Sequence, residues 1–213
     1  MPAFCEADTI GDLVSSISPK FSIIVVDDYS NDGTGEIAKK AGAIVIKNKM
    51  NLGYEGSLNV AFKAAMEREA NSILTIDADG EHDPNYVDVF QYLLEEKKIP
   101  LVLGVRSHRA RIAERFFGHF FKAVYGIDDI FCGMKGYSST LYKAHGCFDN
   151  YRCAGAELCL SAVRSGIPFH QINITGKQRL GPSRFGAGLA SNIALTRAAM
   201  RALYFSTAEF KNE

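Results

Sequence analysis

Apolar runs of strand length alternate along this chain with amphipathic stretches of helix length, and this alternation restricts the possible folds more than any other feature. The runs are rich in β-branched and aliphatic residues and cover positions 21–27, 43–47, 72–77 and 101–105. The candidate helices cover positions 8–17, 33–41, 54–69 and 84–98. Because each run is apolar on both faces, the pattern predicts an α/β fold with a mostly parallel sheet flanked by helices.

The chain has no linker, repeat or low-complexity segment. We therefore predict a single domain over residues 1–213, with a C-terminal helix at about 187–206. Lysine plus arginine number 24 and so do aspartate plus glutamate, which leaves no overall basic field for nucleic acid. No apolar run reaches the ~20 residues needed to cross a bilayer.

The chain's five cysteines are widely scattered and include no CxxC pair, so their spacing indicates neither a zinc site nor a disulfide framework. Free cysteines favour a reducing compartment, and we expect a cytoplasmic protein, either free or at the cytoplasmic face of a membrane. The five histidines also lack ligand spacing and are expected to be structural.

Two of the predicted strands end in acidic pairs, Asp27 with Asp28 and Asp77 with Asp79. Ligands of open α/β sheets bind beyond the carboxyl ends of the strands, so both pairs are expected on one rim of the sheet. Asp77 and Asp79, one small residue apart, can converge on Mg²⁺ or Mn²⁺, with Glu81 as a third ligand. The alternative is an exposed acidic turn that caps the following helix.

The first acidic pair suggests a nucleotide, because an acidic side chain at the end of a strand often bonds a ribose or a base. The alternative is a solvated turn with a helix cap. The chain contains neither GxGxxG nor GxxxxGK[ST]. A nucleotide is therefore expected to be held by carboxylates and metal rather than by a glycine-rich loop.

Several motifs together resemble glycosyltransferase family 2. They are PAFCEADTIGDLV (2–14), VVDDYSNDGT (25–34), NLGYEGSLNVAF (51–62), DADGEHDP (77–84), GVRS (104–107), DIFCGMKGY (129–137) and GPSR (181–184). The likeness covers about residues 2–186 and is nearest to the polyprenyl-phosphate branch, typified by dolichyl-phosphate mannosyltransferase. It implies the GT-A fold and transfer of a sugar from a nucleotide-sugar with inversion.

The resemblance also implies roles for residues at the nucleotide end of the site. Pro2, Phe4 and Glu6 match residues that hold the base and ribose, and Asp28 matches the acidic residue opposite them. Residues 77–79, which are Asp77, Ala78 and Asp79, match the motif that binds the metal and the diphosphate.

A second group of implied roles concerns the diphosphate and the acceptor. Glu81 stands where the nearest relatives have glutamine, and Arg106 matches an arginine near the phosphates. Asp129 matches an acidic residue that faces the acceptor, and Arg184 matches a basic residue that clamps the diphosphate. Arg179 lies two residues before the glycine of GPSR, whereas the family places its second arginine three before it.

The front of the chain departs from the family, which begins with an apolar strand leading into its Pro-Ala-Tyr motif. Here Met1 directly precedes Pro2. We therefore expect the first strand to be missing, with Met1 an internal residue of a longer native chain. Removing a central strand is expected to expose the edges of its neighbours.

The acceptor is left open between two kinds of molecule. A polyprenyl phosphate is already an anion and needs only positioning, whereas a saccharide hydroxyl needs Asp129 as a base. The segment 106–126 carries arginines and a phenylalanine stripe, which either lies on an anionic membrane or packs on the core. A non-catalytic module that binds a nucleotide-sugar or a partner is the alternative from another class.

Overall fold

The structure is a computed structural model that describes residues 1–107, 112–176 and 189–206. Its first half contains β1 (Pro2–Ala3), α1 (Ile10–Ser16), β2 (Ile24–Asp27), α2 (Thr34–Lys40) and β3 (Ile44–Lys47). β2 lies between β1 and β3, and both pairings are parallel. This half follows the predicted alternation of strands and helices.

The second half begins with α3 (Gly53–Met66), β4 (Ser72–Thr75) and α4 (Tyr86–Gln91), which continues into a π-helical turn, Tyr92–Glu96. The remaining elements are β5 (Leu101–Arg106), α5 (Ile112–Tyr125), β6 (Lys135–Ser138), α6 (Ser139–His145), α7 (Glu157–Arg164), β7 (Phe169–Ile174) and α8 (Leu189–Phe205). These strands form a second sheet in the order β4-β6-β5-β7. β6 is antiparallel to both of its neighbours, and β5 is parallel to β7.

β1 corrects part of our expectation about the first strand, because two of its residues are in place. Pro2 and Ala3 pair with β2, and the Met1 amide carbonyl accepts a hydrogen bond of 2.9 Å from Val26 N. Met1, the first residue of β2 and the whole of β4 help to line a cleft of about 370 Å³. Within the described residues the two sheets share no strand pairing.

An aromatic cluster in the core fixes the position of the second sheet. The Phe62 ring from α3 stacks on Phe148 with centroids 4.8 Å apart and meets Tyr137 of β6 edge-on at 5.5 Å. All three side chains are fully buried, and each such burial contributes roughly 1.5–3 kcal/mol. The cluster ties α3, which begins at the ligand rim, to the strands that carry the rest of that rim.

The structure divides the phenylalanine stripe of α5 between the core and the surface, and its contact with a membrane stays a prediction. Phe117 and Phe121 are buried in the core, whereas Phe116, Phe120 and Val124 are exposed. Among the described residues, no helix combines the length and the apolar character required to span a bilayer.

Candidate active site

The acidic turn after β4 lies directly against β6. A Cβ at Gly133 would stand 2.0 Å from Oδ2 of Asp77, so only glycine leaves room for this carboxylate. Nε2 of His82, a residue that is 2% exposed, lies 3.3 Å from the same oxygen. Oδ1 of Asp77 is buried and accepts no hydrogen bond from the described residues. A buried carboxylate oxygen in this state fits a cation ligand.

The charge state of this carboxylate follows from its neighbours. Burial raises the pKa of Asp77, but the hydrogen bond and charge of His82, the nearby Tyr54 hydroxyl and the charge of Arg106 lower it below its usual 3.8. Burial also lowers the pKa of His82, but the hydrogen bond and charge of Asp77, with the charge of Glu81, raise it above 6.5. Asp77 is therefore an anion at neutral pH, as a ligand for a divalent cation must be.

The rest of the turn brings three carboxylates onto one short segment. Oδ1 of Asp79 accepts a 3.1 Å hydrogen bond from Glu81 N across Gly80, whose φ is +74°. The carbonyl of Ala78 accepts a 2.7 Å hydrogen bond from Thr9 Oγ1 at the start of α1. The predicted metal ligands thus share one turn that Thr9 joins to the start of α1, and their binding of a cation stays a prediction.

Arg106 and Asp129 were predicted to contact the phosphates and the acceptor, and the structure pairs them with each other. Nε and Nη2 of Arg106 donate to the two carboxylate oxygens of Asp129 at 2.8 and 3.1 Å, and Arg106 N adds a third bond of 3.2 Å. Asp129 is 3% exposed. Burial lowers the pKa of Arg106, but the hydrogen bonds and charge of Asp129 more than offset this and raise that pKa above its usual value. In this arrangement both oxygens of Asp129 already accept hydrogen bonds.

Asp28, predicted to bind the nucleotide, holds the start of α3. Oδ1 accepts hydrogen bonds from Leu52 N at 2.7 Å and Asn48 Nδ2 at 2.8 Å, and Oδ2 accepts from Gly53 N at 2.8 Å. The carboxylate is buried and supplies the cap that no local side chain provides. The sequence left a helix cap open as the alternative for this acidic pair, and a contact between Asp28 and a ribose stays a prediction.

Asp28→Asn is expected to lower the free energy of unfolding by about 2 kcal/mol, because hydrogen bonds to a charged acceptor are worth about 1.5–3 kcal/mol and an amide NH₂ cannot accept. Urea denaturation measures the change. Asp88→Asn, which alters an exposed pair with Lys20, is the control and should cost under about 1 kcal/mol. Unchanged stability with lost nucleotide binding would instead favour the ribose contact.

The remaining predicted residues lie at the same rim or outside the described part of the chain. Pro2 is in β1, and Phe4, just beyond it, is 41% exposed. The backbone N–H of Glu6 donates to Thr34 Oγ1 at 2.8 Å, which joins this segment to α2. Arg184 lies outside the described residues, so its predicted clamp on the diphosphate stays a prediction.

Three residues near the acidic turn were missed by the sequence analysis, although each lies inside a motif quoted above. His82 was treated as structural, yet it lies against Asp77, as does Tyr54. Lys135 is 2% exposed and donates a 2.9 Å hydrogen bond to the carbonyl of Gly155. A histidine or tyrosine that orients one carboxylate has no characteristic spacing, so only the fold reveals it.

Comparisons with known proteins show the family of the chain. The model of the family described as Glycosyl transferase family 2 matches residues 1–144. An uncharacterized protein of Methanocaldococcus jannaschii is 41% identical over 90 residues, which cover 41% of this chain and 37% of that protein. A UDP-N-acetylglucosamine–dolichyl-phosphate N-acetylglucosaminyltransferase of Methanococcus voltae is 30% identical over 195 residues, and the match covers 76% of each chain.

A solved structure supports the fold. Glucosyl-3-phosphoglycerate synthase from Mycobacterium tuberculosis, in complex with Mn²⁺, UDP-glucose and phosphoglyceric acid, superposes with a TM-score of 0.73 at 19% sequence identity. The superposition covers 94% of this chain and 77% of that one. The family match, which spans most of the chain, and this shared fold confirm the resemblance predicted from the motifs: the chain belongs to glycosyltransferase family 2 and has the GT-A fold.

Proposed function

We propose that this protein transfers a sugar, with inversion, from a UDP- or GDP-sugar to a polyprenyl phosphate. The observation that carries the proposal is the acidic turn, where the anionic Asp77 stands beside Asp79 and Glu81 at the carboxyl end of β4. Two similar proteins support it. The M. voltae relative is named for UDP-N-acetylglucosamine and dolichyl phosphate, and the mycobacterial structure holds Mn²⁺ with UDP-glucose.

Asp77, Asp79 and Glu81 are the residues that would hold Mg²⁺ or Mn²⁺. When bound, such a cation neutralises the charge that develops on the diphosphate leaving group. The chain's own part is to keep Asp77 ionised and fixed through His82, which lies 3.3 Å away, and to hold the turn through Thr9. Pro2, Phe4 and Glu6 are proposed to hold the base and ribose, and Arg184 to hold the diphosphate.

The pairing of Arg106 with Asp129 favours a phosphate over a hydroxyl as the acceptor. A sugar hydroxyl needs a base within reach, but both oxygens of Asp129 are already bonded to Arg106. A lipid phosphate has a second pKa near ~6 and is a nucleophile without any base. In this proposal Asp129 orients Arg106 toward the acceptor side and takes no proton.

The exposed face of α5 supports a lipid-linked acceptor. Ile112, Phe116, Phe120 and Val124 are exposed at four-residue intervals, with Phe116 at 69%. Arg115 and Lys122 are exposed on the same helix. A helix with this pattern lies in the interface of an anionic membrane, where a polyprenyl phosphate presents its head group. α5 is the helix that follows β5, and β5 ends at Arg106. The exposed face is therefore close to Arg106 in sequence.

Product partition tests the proposed function directly. The purified protein is incubated with Mn²⁺, a labelled UDP- or GDP-sugar, and either decaprenyl phosphate or a soluble saccharide. We expect label in the organic phase with the lipid phosphate. Label found only in a water-soluble saccharide would mean that the acceptor is a saccharide hydroxyl and not a lipid phosphate. Absence of turnover with any donor would favour a non-catalytic module.

The double variant Phe116→Glu, Phe120→Glu is expected to bind vesicles containing anionic lipid about tenfold more weakly, because two apolar side chains no longer enter the interface. Vesicle co-sedimentation measures this. Met50→Glu, Val89→Glu is the matched control, since it also charges two exposed apolar positions, at 64% and 41% exposure, away from α5. Equal losses in both double variants would contradict a membrane role for this face.

A further inference from the structure

A cluster of three different metal-ligating side chains lies away from the acidic turn, where α6 ends and α7 begins. His145 is the last residue of α6, and Gly146, with φ of +89°, turns the chain so that Cys147 follows beside it. Glu157 is the first residue of α7 and is buried. The fold thus brings together residues that the sequence separates by up to 12 positions.

The distances within this cluster match a tetrahedral zinc site. Oε1 of Glu157 lies 3.5 Å from Nε2 of His145 and 3.5 Å from Sγ of Cys147. One ligand atom from each residue lies within 4.8 Å of the others. Zinc bonds of ~2.0 Å to oxygen or nitrogen and ~2.3 Å to sulfur, at tetrahedral angles, place neighbouring ligand atoms ~3.3–3.6 Å apart.

The backbone already orients the carboxylate for such a site. Oε2 of Glu157 accepts hydrogen bonds from Asn150 N at 2.6 Å and Tyr151 N at 3.2 Å, which leaves Oε1 facing the histidine and the cysteine. Hydrogen bonds to the second oxygen are the usual way in which a protein fixes a carboxylate ligand.

We propose that His145, Cys147 and Glu157 form a zinc site. A neutral imidazole, a thiolate and a carboxylate balance the two charges of Zn²⁺, and the thiol proton is released to solvent on binding. Three protein ligands leave the fourth position to water. Histidine, cysteine and carboxylate together suit Zn²⁺ better than Mg²⁺, so this site differs in chemistry from the all-oxygen acidic turn.

A second group of possible metal ligands, Asp149, Cys153 and Glu157, shares Glu157 with the proposed site. The carboxylate of Asp149 accepts 2.9 Å hydrogen bonds from the backbone N–H groups of Cys153 and Gly155, so it holds its own loop together. The same loop donates from Ala154 N to Glu55 on α3 at 3.0 Å. Zinc at its base would therefore stabilise the loop that contacts the first turn of α3.

Zinc content and cobalt spectroscopy test the proposal. The chelator-treated protein is titrated with Zn²⁺ alone and measured by calorimetry and metal analysis. We expect one zinc per chain and a rise in the melting temperature. Both should be lost in Cys147→Ser, with affinity at least about 100-fold lower. Co²⁺ in place of zinc should give a thiolate charge-transfer band that is absent from this variant.

The controls separate this site from others in the chain. Cys5→Ser, at a similarly half-buried cysteine, and Asp79→Ala, in the acidic turn, should both keep the zinc and the cobalt band. Cys147→Ser must retain the circular dichroism of the parent, and His145→Gln provides a second variant if it does not. Zinc binding that survives in a folded Cys147→Ser or His145→Gln protein would overturn the proposal, and so would its loss in Asp79→Ala.

Discussion

Asp79→Ala is expected to abolish Mn²⁺-dependent binding of UDP or GDP, with affinity falling at least about 100-fold. Replacing even an outer partner of a metal ligand typically costs 10- to 100-fold in metal affinity, and Asp79 is proposed to touch the ion itself. The loss should be confined to the metal-dependent component of binding. Nucleotide affinity without Mn²⁺ should be equally weak in parent and variant.

Calorimetric titration with each nucleotide, with and without Mn²⁺, measures this. Asp83→Ala is the matched control, because Oδ1 of Asp83 accepts from Asn85 N at 3.0 Å just as Oδ1 of Asp79 accepts from Glu81 N at 3.1 Å. Each substitution removes one local turn bond, but only one removes a proposed ligand. If both variants lose binding equally, the turn's shape matters rather than its charge. The nucleotide that binds also identifies the donor class.

Asp129→Asn is expected to reduce the free energy of unfolding by about 3–5 kcal/mol. Removing one member of a buried ion pair leaves the other charge uncompensated, and that penalty is of this size. The Arg106 side chain is 15% exposed. Among the described residues its one further carboxylate within 4 Å is that of Glu114, at 3.8 Å, which is too far to replace a bidentate partner. The Arg106 guanidinium cannot reduce this penalty by losing its proton, because arginine stays charged in proteins.

Urea denaturation of Asp129→Asn should be compared with Asp128→Asn. The neighbouring Asp128 pairs with Lys122 at 2.6 Å, but both groups are far more exposed, so its loss should cost under about 1 kcal/mol. Activity provides a second readout. With a phosphate acceptor, any folded Asp129→Asn protein should keep its pH profile, since no proton passes to Asp129. Loss of the acidic limb, where protonation of a base stops activity, would identify Asp129 as a base and favour a hydroxyl acceptor.

β2, β3, α1 and α2 were predictable because their apolar runs are long and bounded by turn residues, whereas β1 was not predicted. β6 was not predictable either, since KGYS at 135–138 is short, polar and contains glycine. In the fold it pairs with both β4 and β5, and Phe90 and Leu94 pack over Gly136, where a Cβ would stand 2.7 Å from Leu94. Such packing depends on residues distant in sequence, which a local pattern does not contain.

The candidate site shows the same limit. The two acidic pairs were correctly placed at the ends of β2 and β4, because strand direction fixes that rim. Their chemistry was not separable by sequence, since a helix cap and a ligand both need an accessible carboxylate oxygen after a strand. Asp28 faces the first turn of α3, whereas Asp77 faces a glycine and a histidine. Only the neighbours distinguish the two roles.

The cap that Asp28 places on α3 has a consequence for the diphosphate of the proposed donor. The positive end of a helix dipole, worth about half an elementary charge, is a ready anion site in many nucleotide-binding folds. Here the protein's own carboxylate occupies the first turn of α3. Under the proposed function, counter-charge for the diphosphate would then come from the cation and from arginines. Donor occupancy in the cell would in that case follow the free concentration of the divalent ion, and metal supply would control sugar transfer.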